Sequence, residues 1–381
     1  MANTFSKILN DGLAIFKKTS NESVVGIDIG SSAIKVVQLK KKGAKAVLET
    51  YGALSLGPYL EGGVVGQTTN LPIEKIAQGL TDVMREAGIT TKQGAVSIPA
   101  SASLVFLIEL PAVIDESQLA SIIPTEARKY IPVPISEVSL DWWPIPKKDS
   151  ALDGAVGPDG KPLKEAAKTE VLVAAIHNDT IQKYRDIIAK TSLSVDFFEI
   201  ELFSSIRSSF GRELSTVLII DMGALKTKLS IIEYGIVRKF HSIDRGSQDI
   251  TNALSKSLGV TFLQAEQMKR DFGMLGNQKD PSMPEIISLS VDYILSETNS
   301  AILNYERQYG KTISKVILTG GGVLLKGFKE RATEQLRSEV VMARPFDKVE
   351  APAFLDNVLE TAGPEFAVAA GLALRRLQES S

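Results

Sequence analysis

No cysteine occurs anywhere in the 381 residues. Disulfides, thiolate nucleophiles and cysteine-ligated metal sites are therefore excluded, and a reducing compartment is permitted. Histidine is nearly as scarce, with His177 and His241 alone. That leaves a serine–histidine–aspartate triad or a multi-histidine metal site without its parts. Excess charge is missing too: 43 basic residues face 45 acidic ones, for a net charge of −2. Nothing here favours a nucleic-acid backbone, and no nucleic-acid partner is expected. Long apolar runs are also absent. The run "AVAAGLAL" (Ala367–Leu374) falls far short of the roughly 20 residues that cross a bilayer.

What is present is ordinary for a globular chain, with 44% hydrophobic and 23% charged residues. The length suits two domains, or one with several subdomains. The opening "MANTFSKILNDGLAIFKK" is not a signal peptide: it has no apolar h-region, and Lys17 and Lys18 lie on the wrong side. Wound as a helix, it would place Phe5, Ile8, Leu9, Leu13 and Phe16 on one face. This reads as a membrane-surface or partner-binding helix, or as a short helix docked on its own domain.

The first buried strand carries the main signal. In "VVGIDIGSSAIKVVQLKKKG" (Val24–Gly43) an apolar run ends in Asp28, Gly30 follows two residues later, and Lys35 stands seven residues past the acid. The pattern returns in "STVLIIDMGALKTKLSIIEYGIVRKFHSID", where Asp221, Gly223 and Lys228 hold the same offsets. One such turn is common turn chemistry. Two copies point to an internal duplication and to two similar domains facing each other. Between them, helical spacing marks "LPIEKIAQGLTDVMREAGI", "DESQLASIIPTEARKYI" despite Pro124, and the stretch after Asn178. Strands are expected at "GAVSIPA", "SLVFLIELP", "SEVSLDWWPIP", "EVLVAAIH" and "SVDFFEIE", with a long surface loop over Lys147–Lys168. The second half adds helices near Gln248–Leu258, Phe262–Phe272 and Pro284–Tyr309, then a buried strand leading into "TGGG" (Thr319–Gly322). A closing helix is lined with the small residues Ala367, Ala369, Ala370 and Gly371.

Tight turns after strands expose backbone N–H groups, which bind phosphate oxygens where glycine clears the approach. Gly30, Ser31 and Ser32 form the first such turn, and Gly223 and Ala224 the second. Two of them could clamp a polyphosphate. Asp28 and Asp221 would then need a Mg²⁺ ion, reached through water, to offset repulsion. Lys35 is expected to add positive charge to the phosphates. Lys228 reads instead as a solvated strand residue. The triple glycine Gly320–Gly322 would let a base or ribose rest on the backbone.

The ordered set "IDIGSSAIK", "FEIELFSSIRS", "IIDMGALKTK", "LTGGGVLLKGF" and "GPEFAVAAGLALR" resembles the five ATP-site motifs of the actin, sugar-kinase and heat-shock chaperone superfamily. That likeness implies an α/β, actin-like two-domain ATPase fold of duplicated ribonuclease H-like domains, binding ATP and Mg²⁺. It implies nucleotide contacts from Gly30, Ser31, Ser32, Lys35, Gly223, Ala224, Gly246, Gly320, Gly321 and Gly322, with Asp28 and Asp221 on the metal through water. The helix "AEQMKRDFG" resembles one in the division protein FtsA, which adds Glu266 and Lys269 as ribose and base contacts; both also fit a surface i,i+3 pair. Over Val24–Leu377 the sequence is more specifically similar to the PilM family of type IV pilus assembly proteins, through "GIDIGSSAIKVVQL", "IPASASLVFLIELP", "QLASIIPTEARKYIPVPISEVSLDW" and "FFEIELFSSIRS".

That second resemblance implies an SHS2-type 1C insert. The expected divisions are an N-terminal extension 1–22, domain 1A at 23–92 and 171–212, the insert at 93–170, domain 2A at 213–246 and 311–381, and subdomain 2B at 247–310. It also implies a cytoplasmic adaptor at the inner face of the cytoplasmic membrane, in a pilus, secretion or DNA-uptake machine. A groove on the first domain and the insert would take the N-terminal tail peptide of a PilN-like inner-membrane protein. Pilus motor ATPases, a platform protein, self-association and a peripheral membrane contact follow as further expectations.

Hydrolysis would need a water held in line between the domains. Glu201 is the expected catalytic acid, with Glu199 second; alternatively Glu201 caps its helix at the positive end of the dipole. At most slow ATPase activity is expected. A sugar or acetate kinase would need a catalytic aspartate; Asp141 is the candidate and reads better as a strand-end acid. The other alternative is an FtsA-like filament-forming division or membrane-scaffold ATPase. Against it, the sequence given stops at Gln378–Ser381, directly after the closing helix.

Overall fold

The structure, a computed structural model, describes residues 22–111, 116–145, 168–211, 213 and 215–379. The expected N-terminal helix face and nearly all of the Lys147–Lys168 loop lie outside them. Residues Ser101–Gln182 form one compact unit and the remaining described residues another.

In the larger unit, β1 (Ser23–Ile29), β2 (Ala33–Lys42) and β3 (Lys45–Ser55) form an antiparallel ribbon. Helix α1 (Ile73–Glu86) follows, burying Ile76, Leu80 and Val83 as its spacing predicts. The strand β4 (Gln93–Ile98) then runs parallel to β1. The small unit contributes β5 (Ser103–Pro111), α2 (Glu116–Ala127), β6 (Val138–Pro144) and β7 (Lys168–His177). These strands form an antiparallel sheet in the order β5-β7-β6. Leu119, Ile123 and Ala127 of α2 share its core with Ile108, Val171 and Val173. Helix α3 (Asn178–Ala189) leads to β8 (Ser194–Ile200), which pairs in parallel with β4, and to α4 (Glu201–Ser209). The first large sheet is therefore β3-β2-β1-β4-β8.

The second large sheet repeats that plan as β11-β10-β9-β12-β13. It uses β9 (Thr216–Met222), β10 (Thr227–Glu233) and β11 (Ile236–Ile243). Helices α5 (Ser247–Leu258), α6 (Phe262–Phe272) and α7 (Met283–Tyr309) come next, and then β12 (Ile313–Thr319), α8 (Phe328–Gln335) and β13 (Glu339–Met342). Short helix α9 (Asp356–Ala362) precedes the closing helix α10 (Ala367–Glu379). Ile287, Val291, Ile294 and Leu295 of α7 are fully buried with Leu218 and Ile220 of β9 and Val316 and Leu318 of β12.

Two divisions differ from the expected ones. β4 belongs to the first large sheet and β7 is the central strand of the small one, so the inserted unit starts and ends later than 93–170. Strand pairing decides this, since either run is apolar enough for either sheet. The closing helix, expected with 311–381 in the second domain, packs on the first sheet: Ala369, Ala370 and Ala373 share a core with Val24, Val37 and Leu39. Its small residues are the reason, because β1 comes close enough that a β-carbon on Gly26 would lie 2.0 Å from the Ala369 carbonyl oxygen. Among the described residues no helix is long and apolar enough to cross a membrane.

Candidate nucleotide cleft

Each large sheet presents its acid at the end of its central strand. Asp28 sits across from Lys35 in the β1–β2 register, as Asp221 sits across from Lys228 in the β9–β10 register. Asp28 is 7% exposed and accepts a hydrogen bond from Ser97 Oγ at 2.9 Å. The Gly30 N–H closes its own turn by donating to the Ala33 carbonyl at 3.0 Å. The Ser31 and Ser32 carbonyls accept from Thr69 and Leu56, while the N–H groups of Ser31 and Ser32 make no hydrogen bond among the described residues. Lys35 is half-buried and likewise without an ion pair there. Two unspent amides, a cation and an acid one strand away make a donor set that fits a polyphosphate. No cluster of three or more metal-ligating side chains occurs among the described residues. The residues thus fit a hydrated Mg²⁺ better than a directly caged one.

The second turn is arranged differently. Gly223 N–H donates to the Lys226 carbonyl, and the Gly223 and Ala224 carbonyls accept from the Ser247 and Gln248 N–H groups at the start of α5. Gly246, just before that helix, touches the same turn: a β-carbon there would lie 2.4 Å from the Ala224 carbonyl oxygen. Gly246 therefore seats the turn on the helix. Gly320 has φ +86°, and a β-carbon on it would lie 2.4 Å from Asp221 Oδ1, so only glycine fits over this acid. Gly322 is similarly tight against Met222, whereas Gly321 is exposed and such a carbon would meet the Glu365 side chain at an ordinary 3.7 Å.

Lys228 is not the solvated strand residue that its position in the repeat suggested. Its ammonium donates to Asp221 Oδ2 at 3.1 Å and to Glu201 Oε2 at 2.7 Å, joining the second half to the first. Burial opposes its charge, but the carboxylates of Asp221 and Glu201 prevail and hold its pKa well above the usual lysine value. Glu201 Oε1 accepts from the Ala100 N–H at 2.7 Å, so Glu201 is not spent on capping α4. Burial pushes Glu201 up, and Asp221 and Asp28 add to this against the pull of Lys228. Two carboxylates thus share the Lys228 ammonium, and Asp28 is near enough to Glu201 to help raise it.

Glu199, two residues earlier, belongs elsewhere. It takes a two-pronged contact from Arg207 at 2.6 and 2.7 Å and a third from Arg375 at 2.8 Å, fixing α4 and α10 to β8. Glu266 and Lys269 lie beside the start of α5, where Lys269 donates to the Ser247 carbonyl at 3.2 Å, and they are engaged with each other at 2.6 Å. Lys269 also donates to Thr251 Oγ1, and Glu266 accepts from Thr251 and Arg270. Burial lowers Lys269, offset by Glu266. A strap from the first half reaches them: Gly66 lies against the Glu266 side chain, and Thr68 N–H donates to Gln248 Oε1. Sequence reading missed Ser97, Thr68 and Gln248, which carry no motif of their own. The role of Lys228 was hinted at only by its offset.

Comparisons with known proteins agree with this architecture. The family model for type IV pilus assembly protein PilM matches residues 26–377. A solved PilM–PilN type IV pilus biogenesis complex contains a chain that superposes with a TM-score of 0.76 at 23% identity, covering 94% of this chain and 99% of that one. MreB5 of Spiroplasma citri bound to AMPPNP superposes with a TM-score of 0.50 at 9% identity, covering 95% of this chain and 98% of that one. Cell division protein FtsA of Helicobacter pylori is 25% identical over 237 residues, 54% of this chain and 47% of FtsA. The chain spans about half the length of this curated relative. The fold is α/β and actin-like.

Proposed function

The chain belongs to the type IV pilus assembly protein PilM family, and from that premise we propose that it is an ATP-binding adaptor. It would hold the nucleotide between its two large sheets and carry a PilN-like inner-membrane protein by that protein's cytoplasmic tail. This places it in the cytoplasm at the inner face of the membrane, linking the membrane complex to the pilus motor. The observation that carries the nucleotide half of this reading is the first turn. Its Ser31 and Ser32 N–H groups are unspent, Lys35 is unpaired among the described residues, and Asp28 is fixed by Ser97. In this reading Ser31, Ser32 and Lys35 hold phosphate oxygens, and Asp28 orients a water of the Mg²⁺ shell. Gly320 and Gly321 give the nucleoside a flat backbone to rest on. A bound Mg²⁺ would supply charge neutralisation between phosphates and acids. Asp221, already paired with Lys228, takes the smaller share of that task. In the same reading Glu266 and Lys269 contact the ribose, which requires the contact between Gly66 and Glu266 to open. The PilN half rests on the family and on the PilM–PilN complex that this fold resembles.

Isothermal titration with Mg-ATP tests the first half. Asp28→Ala should weaken binding at least about 100-fold, since it leaves the phosphates facing Ser97 with no metal anchor. An unchanged affinity would sink the phosphate-site assignment. For the second half, a synthetic peptide with a PilN-like cytoplasmic tail sequence should be retained by the immobilised protein in the presence of ATP. No retention with or without ATP, joined to polymer formation on nucleotide addition, would favour the FtsA-like filament reading that the FtsA similarity raises.

A further inference from the structure

The two copies of the strand–acid–turn unit use their lysines differently. Lys35 and Lys228 hold equivalent register positions, each directly across from its acid. Lys35 has no ion pair among the described residues, whereas Lys228 reaches out of its own sheet to Glu201, the first residue of α4 in the other half. Lys228 and Glu201 have side chains only 17% and 13% exposed, so solvent does little to weaken their attraction. Both oxygens of Glu201 have a donor: Oε1 the Ala100 amide, Oε2 the Lys228 ammonium. Glu201 comes from neither turn, and it is the acid that an attacking water would meet once Lys228 let go of it.

We propose that Lys228 is a built-in brake on hydrolysis, holding Glu201 in an ion pair so that the cleft keeps ATP instead of cutting it. The proposal rests on the nucleotide reading above. In the unbraked reaction the water oxygen bonds to the γ-phosphorus while the bond from that phosphorus to the bridging oxygen breaks. The water's proton passes to Glu201, and ADP leaves with the bonding pair. An ammonium on Glu201 Oε2 obstructs this step twice. It occupies the oxygen that would meet the water, and it stabilises the carboxylate against taking a proton. Lys228 is in this sense a positioning residue, acting through Glu201.

The experiment is single-turnover hydrolysis of Mg-ATP by the full chain, with ATP affinity measured on the same samples. Lys228→Met should raise the hydrolysis rate about ten-fold or more, within the range a positioned general base supplies. The gained activity should increase with pH as Glu201 ionises, and Glu201→Gln added to Lys228→Met should return the rate to the parent level. Lys228→Ala, which leaves no donor for Glu201 Oε2, decides the question if Lys228→Met does not stay folded at the assay temperature. If the parent and both variants bind no ATP, the nucleotide reading itself fails and takes the brake with it. If they bind ATP and neither variant hydrolyses it faster than the parent, the brake alone is overturned. A faster rate that survives Glu201→Gln overturns it as well.

Discussion

Replacing Gly371 with valine is expected to stop the chain from reaching its native fold. A β-carbon at this position would lie 1.9 Å from the Ser204 carbonyl oxygen and 2.5 Å from its carbon. Both are backbone atoms of α4, so no rotamer change relieves the overlap. Helix α10 has no room to retreat, because Gly26 of β1 meets its other side equally closely. Two hydrogen bonds hold the helices at this spacing: Ser208 Oγ to the Ala367 carbonyl at 2.7 Å, and Arg207 Nη1 to the Gly371 carbonyl at 3.1 Å. Overpacking a core ordinarily costs about 1–3 kcal/mol, and the cost here should exceed that range, a large part of a typical domain's stability. Urea denaturation of Gly371→Val should show no native baseline, or a midpoint far below the parent's. Gly211→Ala is the control, since among the described residues its β-carbon would meet nothing nearer than 4.0 Å. A parental midpoint for Gly371→Val would mean that α10 does not pack between β1 and α4. The same helix bears on function. The Pro364 carbonyl just before it accepts from Gly320 N–H and from Thr319 Oγ1, both at 2.9 Å, so displacing α10 also moves the loop over Asp221.

What could be read from the sequence was what is local. Each strand–acid–turn unit lies within a short window, and its repeat made two similar sheets expected before either was seen. The capping box of α6, in which Thr261 and Gln264 exchange hydrogen bonds at 3.0 and 3.3 Å, marks a helix start that spacing alone reveals. Long-range partners carried no such signal. Strand β13 is four residues long and pairs only along the parallel edge that β12 offers; helix α8 before it has eight residues. The docking of α10 on the first sheet depends on Gly26, far away in sequence. Lys35 and Lys228 are equals by offset, and what separates them is Glu201, delivered to one of the two from the other half of the molecule. The stretch "FEIE" holds two acids whose destinations differ, and only their arginine and lysine partners tell which faces the cleft.

Glu199→Gln should be the most damaging single-charge change, and its effect should depend on pH in a defined direction. The Glu199 carboxylate is fully buried, and burial alone would raise its pKa. Arg207 first, then Arg375 and Ser204, outweigh that and hold it down at about 2, below the ordinary 4.5. Because the folded value is depressed, the charged group's contribution is complete above the unfolded value near 4.5 and is lost as pH falls toward about 2. A depression of this size corresponds to about 3 kcal/mol. Glutamine fills the same space but removes the carboxylate that the two guanidiniums share, leaving Arg375 its ion pair with Glu379. Arg375 has no easy escape, with its charge over the Phe197 ring at 4.1 Å and its Nε on Glu379. Breaking one partner out of a buried ionic cluster costs about 3–5 kcal/mol. Urea midpoints of parent and Glu199→Gln should therefore differ widely at pH 7, and the gap should narrow steadily as pH is lowered from about 4.5 toward 2, where the parent's own glutamate becomes protonated. Equal midpoints at pH 7, or a gap that stays constant through that acid range, would refute the assignment of Glu199 as the charged centre joining β8, α4 and α10. Since Glu201 begins α4 two residues further on, the same centre fixes the carboxylate that Lys228 holds.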